Sequence, residues 1–204
     1  MTLFQGVSGT GKTTLGSALA KALDLPYVEG DDLHPKSNIE KISSGHPLTD
    51  SDREPWLKLI RTTAEHMTIA KVNTGRENPN KNGVVISCSA LRRRYRDTLR
   101  GGQNNLPVKL SISENSQLEE KPEPQDLILK TVFVHIEGTR DVLMDRMTKR
   151  TGHFMKPSML DSQLETLENP VHEEGVVVVS LTDSNEDQVR EAQQGLRTVL
   201  NMRM

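Results

Sequence analysis

The residues best suited to chemistry lie near the start of the chain. There Gly6-Val7-Ser8-Gly9-Thr10-Gly11-Lys12-Thr13 fits the pattern G-x-x-x-x-G-K-[ST]. Three glycines let the backbone curl so that successive N–H groups converge on the phosphates of a nucleotide. Lys12 is then placed to reach the β- and γ-phosphates, and the Thr13 hydroxyl to bind Mg²⁺, with Thr14 completing the nucleotide-binding run. A chance glycine-rich turn would need no particular flanks. Here a short apolar piece, Leu3-Phe4, precedes the loop, and Leu15, Leu19 and Leu23 recur every four residues behind it. That spacing predicts an amphipathic helix whose N-terminus faces the phosphates, so the run implies binding of a nucleoside triphosphate.

A second group of residues bears on what happens to the bound phosphates. Glu29-Gly30-Asp31 follows an apolar piece, Leu25 to Val28, that reads as a second strand. An enzyme that phosphorylates a small molecule needs a carboxylate near the γ-phosphate to orient the acceptor hydroxyl and take its proton. Cations that neutralise the transferred group and a cover that excludes water complete the requirement. Asp31, the arginines at 92–96 and 146–150, and the basic segment Lys149-Arg150-Thr151-Gly152-His153-Phe154-Met155-Lys156 supply all three. A solvated turn aspartate is the ordinary alternative for Asp31, but this one follows a core strand parallel to the strand that bears the loop.

The elements that must hold these groups follow from patterning. Asn38 to Ile42 predicts a brief helix ended by Gly45-His46-Pro47. Thr49 to Asp52 offers N-caps for a long helix with Trp56, Ile60, Ala64 and Met67 on one face and Pro55 in its first turn. Residues 73–83 read as loop. Val84-Val85-Ile86-Ser87-Cys88 is an apolar run without alternation, as in a parallel strand buried on both faces. Ser89 is placed to cap a helix from Leu91 to Gly101. Residues 103–129 read as a polar, proline-bearing surface insertion. A fourth strand at 131–136, a helix from Val142 to Arg150, a helix bearing Leu160, Leu164 and Leu167, a fifth strand at 176–179 and a terminal helix complete the chain. The fold class is α/β: a five-stranded parallel sheet with helices on both faces, and the ligand at the carboxyl ends of the strands.

Bulk properties narrow the function classes. The chain has 204 residues and a formal net charge of −2, which argues against a dedicated nucleic-acid binder despite the local cluster at Arg92-Arg93-Arg94-Tyr95-Arg96. A lone cysteine, Cys88, excludes an internal disulfide and fits a reducing compartment, and no run is long enough to span a membrane. The expectation is a soluble cytoplasmic protein with no membrane partner. The six histidines lack zinc-ligand spacing. A guanine-reading N-K-x-D segment is missing, because Asn80-Lys81-Asn82-Gly83 lacks the aspartate. The third strand ends in Ser87-Cys88-Ser89 rather than in the acid of a motor ATPase. These gaps leave a small-molecule kinase.

The stretch Glu29-Gly30-Asp31-Asp32-Leu33-His34-Pro35, with Asn38-Ile39-Glu40-Lys41, Gly45-His46-Pro47-Leu48 and Asp50-Ser51-Asp52-Arg53-Glu54-Pro55-Trp56-Leu57, resembles the gluconokinases. So do Cys88-Ser89-Ala90-Leu91, Tyr95-Arg96-Asp97, Gly152-His153-Phe154 and Leu164-Glu165-Thr166-Leu167-Glu168. The matches span most of the chain in the family's order, interrupted mainly by 103–129. The resemblance implies transfer of a phosphoryl group from ATP, with Mg²⁺, to the 6-hydroxyl of D-gluconate. By the same resemblance the product, 6-phosphogluconate, would feed the pentose phosphate pathway. It also implies the P-loop kinase fold shared with shikimate kinases, one domain over 1–204, and a homodimer. Within that domain it sets an acceptor-binding part at about 30–72 and a small lid at about 149–160.

Residue roles follow on the same footing. Lys12, Asp31 and Arg150 are the catalytic candidates. Arg146 and Arg150, four apart and on one helix face, join the loop as nucleotide ligands. His34, Arg53, Arg92, Arg96 and His153 join Asp31 on the substrate, Lys156 closes over the phosphates, and Thr13 and Glu29 serve the metal. His34 has a second reading, fixing the turn at Pro35. One or two of Arg92, Arg93 and Arg96 face substrate while the rest form a solvated basic face. Trp56 and Cys88 read as core. Three departures from the family stand out: Glu29 replaces the usual first aspartate, Asp32 occupies a position that is often apolar, and the first strand is brief, which would weaken support for the loop. Two alternatives remain at this stage, a kinase of another polyol acid such as shikimate, and a nucleotide-binding regulatory protein without turnover.

Overall fold

The computed structural model describes residues 1–73, 82–102, 129–149 and 157–201, with the backbone alone at 69–73 and 157–159. The expected insertion at 103–129 and the segment 150–156 of the expected lid therefore lie outside the described residues, apart from Leu129. So do Arg150, His153 and Lys156.

Five strands, β1 (Thr2–Gln5), β2 (Tyr27–Glu29), β3 (Val85–Ser87), β4 (Val132–Glu137) and β5 (Val176–Ser180), form one sheet in the order β2-β3-β1-β4-β5. Every neighbouring pair is parallel. The α/β class and five-stranded parallel sheet read from the sequence are those observed. Adjacent residues on a strand point to opposite faces, and here both faces are buried. Leu3, Ile86 and Phe133 pack with Trp56, Leu57, Ile60 and Leu99 on one side of the sheet. Phe4, Val85 and Val134 pack with Leu15, Leu19, Leu143 and Leu196 on the other. That double burial is why the strands lack alternation: each fully buried leucine, isoleucine or phenylalanine contributes about 1.5–3 kcal/mol on either face.

Seven helices occur among the described residues: α1 (Lys12–Leu23), α2 (Lys36–Ser43), α3 (Asp50–Asn73), α4 (Arg93–Arg100), α5 (Arg140–Lys149), α6 (Pro157–Thr166) and α7 (Asn185–Leu200). Thr49 and Asp52 make a reciprocal box that starts α3: the Asp52 N–H donates to Thr49 Oγ1 at 3.3 Å and the Thr49 N–H to Asp52 Oδ2 at 2.6 Å. The helix thus begins at Asp50, and Pro55 lies inside it rather than in its first turn. The expected cap of α4 is also corrected. Ala90 takes a left-handed φ of 39°, so the chain turns at 88–91, and α4 begins at Arg93 instead of Leu91. Its first amide donates to Glu168 Oε2 at 2.6 Å, a cap supplied from far along the chain in place of Ser89.

Although brief, β1 is the central strand and is bonded along both edges. Thr2 N–H donates to Val84 O, Cys88 N–H to Phe4 O and Val132 N–H to Met1 O, at 2.9–3.0 Å. All four of its residues are buried. Its carboxyl end delivers the glycine loop between β3 and β4, where the strand order reverses and α/β sheets open a crevice.

Candidate active site

The loop from Gly6 to Gly11 takes its shape from three left-handed glycines, Gly6, Gly9 and Gly11, with φ of 150°, 86° and 89°. Gly11 has open space around the position of a Cβ, so the demand there is conformational rather than steric. It stands at the N-cap of α1, which carries neither a side-chain cap nor an acid in its first turn. That helix end is therefore configured for an external anion. Lys12 Nζ folds back to donate to Gly6 O and Val7 O, both at 3.0 Å, and Thr10 Oγ1 donates to Val7 O at 2.9 Å. The Ser8 N–H donates to Gln163 Oε1 of α6 at 2.7 Å.

Beside the loop, the end of β2 brings the acids together. Glu29 accepts from Thr13 Oγ1 at 2.7 Å, from Tyr27 Oη at 2.8 Å and from Ser87 Oγ. Burial raises its carboxyl, but those three donors and the Asp31 backbone outweigh burial and hold it below the ordinary glutamate value. A hydroxyl beside an ionised carboxylate is a donor set that would suit Mg²⁺. The longer glutamate side chain thus still meets Thr13. Gly30 must be glycine because a Cβ there would lie 2.0 Å from Ser87 O. Asp31 follows in a 3₁₀ turn, Gly30–Leu33. Asp31 is exposed to solvent. Desolvation raises its pKa, Lys12 pulls it down, and Glu29 and Asp32 push it up, leaving it above the ordinary aspartate value.

On the far side of Asp31, His34 stacks on Trp56 with ring centroids 4.0 Å apart, and Asn38 Nδ2 lies 3.3 Å from His34 Nδ1. Desolvation, with the nearby Arg53, lowers the His34 pKa to about 4, so the ring is neutral at pH 7. Trp56 is buried and donates from Nε1 to Gly30 O at 2.7 Å, which ties α3 to the turn that carries Asp31. Arg53 donates to Leu48 O and lies 3.5 Å from Tyr95 Oη. Arg92, Arg94 and Tyr95 converge on Asp50 at the start of α3.

Arg96 is a correction. It is fully buried, and all five of its N–H donors are engaged: Nε and one Nη2 hydrogen with Glu173, the other with Glu168 O at 3.0 Å, and Nη1 with Ala90 O and Leu91 O at 2.9 and 3.0 Å. The side chain points into the protein and staples the left-handed Ala90 turn, leaving no donor for substrate. Arg93 likewise lies away from the acids, on a concavity of about 720 Å³ at the amino ends of β4 and β5. Cys88 is a buried strand-end thiol pushed up by desolvation to about 12, hence protonated.

Arg146 lies beside the loop. With Gly9, Thr10, Gly11, Thr14, Lys149, Asp183, Asn185 and Gln188 it lines a cavity of about 350 Å³. Its Nη2 donates to Leu181 O at 2.7 Å. The last three residues escape motif reading, although the signal existed: the Asp183–Asn185 turn follows β5, and turns after strands form the ligand edge of such sheets. Asp50 and Gln163 also escape motif reading, because their partners Arg92 and Ser8 are distant in sequence.

The shikimate kinase family profile matches residues 8–197. A gluconokinase of Gluconobacter oxydans is 42% identical over 86% of this chain and 79% of its own length. A probable gluconokinase of Xenopus tropicalis is 41% identical over 88% of this chain and 84% of its own. The crystal structure of a gluconokinase from Sinorhizobium meliloti superposes with a TM-score of 0.72 at 40% identity, covering 98% of this chain and 94% of that one. With its P-loop, its acidic β2 turn and these relatives in agreement, the chain belongs to the gluconokinase family, within the shikimate kinase type of P-loop kinase.

Proposed function

We propose that the protein transfers the γ-phosphoryl group of ATP to the 6-hydroxyl of D-gluconate. The observation that carries this reading is that the phosphate loop meets the acidic turn after β2: Thr13 Oγ1 donates to Glu29 at 2.7 Å, and Asp31 follows two residues later. The relatives that match along nearly the whole chain are gluconokinases, which supports gluconate as the acceptor. In the step, the 6-hydroxyl oxygen forms a bond to the γ-phosphorus as the bond to the β–γ bridging oxygen breaks. The proton passes to Asp31 and ADP leaves. Thr13 and Glu29 would hold Mg²⁺, which would supply charge neutralisation. The loop from Gly6 to Thr14 cradles the phosphates, Lys12 offsets their developing charge, and Arg146 borders the nucleoside cavity. Arg53 and Arg92 face the gluconate carboxylate, and neutral His34 meets a hydroxyl while fixing the turn. Arg150 and His153 keep the roles that resemblance assigns them.

The proposed unit is one domain acting as a homodimer in the cytoplasm, checked by sedimentation of the purified protein. The decisive assay is ATP consumption with D-gluconate, shikimate, a nucleoside monophosphate or no acceptor. Stimulation by gluconate alone is expected. Nucleotide binding without acceptor-dependent turnover would sink the reading.

A further inference from the structure

One hydrogen bond to the phosphate loop comes from the far end of the chain. The Ser8 N–H donates to Gln163 Oε1 at 2.7 Å, across 155 residues. Helix α6, which carries Gln163, is anchored by contacts besides that bond: Leu160 is fully buried and Leu164 packs against the same core, which also holds Val7 of the loop. Asp161, two residues before Gln163, takes a forked bond from Arg140 of α5 at 2.7 and 3.1 Å. Helix α5 also touches the loop, since a Cβ on Gly9 would lie 3.0 Å from Met147 Cγ. The outer limb of the loop, Val7–Gly9, is thus gripped by two helices that an ion pair joins to each other. The cavity beside the loop is lined by Gly9 of that limb together with Thr10, Gly11 and Thr14.

We propose that Gln163 is a positioning residue for nucleotide binding: its amide oxygen fixes the Ser8 peptide and couples occupancy of the loop to α6. A buried or half-buried amide held by one acceptor has a single orientation, and losing that acceptor frees the limb that must keep its curvature under the phosphates. The inference rests on the ATP reading above. A purely structural glutamine would support α6 without answering to nucleotide.

The test is Gln163→Leu, which removes the acceptor at similar volume. KM for ATP is expected to rise about tenfold, the scale of one lost hydrogen bond to an amide then left unmet, while KM for gluconate stays within about twofold. Hydrogen exchange of the segment containing Ser8 should quicken about tenfold in the free variant. In the unmodified protein, a non-hydrolysable ATP analogue should protect both the loop and α6, and in Gln163→Leu the α6 response should vanish. Unchanged KM for ATP overturns the proposal. If Gln163→Leu does not fold, Gln163→Glu retains an acceptor oxygen and should leave exchange at Ser8 as in the unmodified protein; faster exchange there overturns it too. Protection of the loop without any response in α6 overturns this inference alone. A loop that gains no protection at all overturns the nucleotide reading with it.

Discussion

At Asp31, two demands oppose each other. The proposed base must be ionised to take a proton, yet desolvation raises its pKa, and Lys12 offsets only part of that. A carboxyl whose folded pKa lies above its unfolded value stabilises the protein when protonated and costs stability as pH rises through the folded pKa. Asp31→Asn should therefore raise Tm at neutral pH while lowering kcat at least ~10²-fold, the scale of a lost positioned base. Near-normal turnover in that variant would refute the base role. Lys12→Ala should cost a similar ~10² in kcat by removing charge stabilisation of the phosphoryl group. His34 gives a pH signature of the opposite sign. Its folded pKa of about 4 lies below the ordinary 6.5, so the stability from its neutral, stacked form is present above 6.5 and fades as pH falls towards 4. Trp56 is the sole tryptophan, so its fluorescence reports that stack. A transition near pH 4, absent in His34→Asn, is expected; one centred at 6.5 would contradict the burial of the ring.

At the scale of elements, the turn between β3 and α4 depends on Arg96. The left-handed Ala90 costs about 1–3 kcal/mol and persists only where its surroundings hold it. Arg96 does so by donating to Ala90 O and Leu91 O while its charge is met by Glu173. Arg96→Ala would leave Glu173 with Arg100 as its remaining ion-pair partner and those carbonyls without their donor. A loss of about 3 kcal/mol in unfolding free energy is expected, the scale of removing one partner from a buried pair, measurable by urea denaturation. KM for gluconate should move far less than stability. A variant of unchanged stability with a large rise in KM would return Arg96 to the substrate.

For the whole molecule, the site is assembled from every layer. The loop follows β1, the acids end β2, Ser87 ends β3, and Arg146 and Gln163 come from α5 and α6. Ligand that binds this assembled site and not the unfolded chain must stabilise all of it. Nucleotide at 100 times its Kd adds about 2.7 kcal/mol. For a chain of this size that corresponds to a rise in Tm of roughly 5–10 °C. Scanning calorimetry with ATP and Mg²⁺ should show it, and no shift at saturating nucleotide would argue against the cradle.

The strands, the phosphate loop and the acid after β2 are legible in the sequence. Each depends on contiguous residues: glycine spacing, apolar runs without alternation, and a resemblance carried by ordered short segments. Arg92 and Arg96 show where that legibility stops. They sit four residues apart in one basic run, yet one reaches Asp50 near the site and the other is locked inside by Glu173. The helix phase and the left-handed Ala90 that separate them are consequences of packing, and periodicity over five residues cannot resolve them. The cap of α4 by Glu168, the grip of Gln163 on Ser8 and the Asp183–Gln188 wall of the cavity come into view only in the folded chain. Each is a contact between segments far apart in the chain, and side-chain type alone does not encode which distant partner the sheet will bring within hydrogen-bond reach.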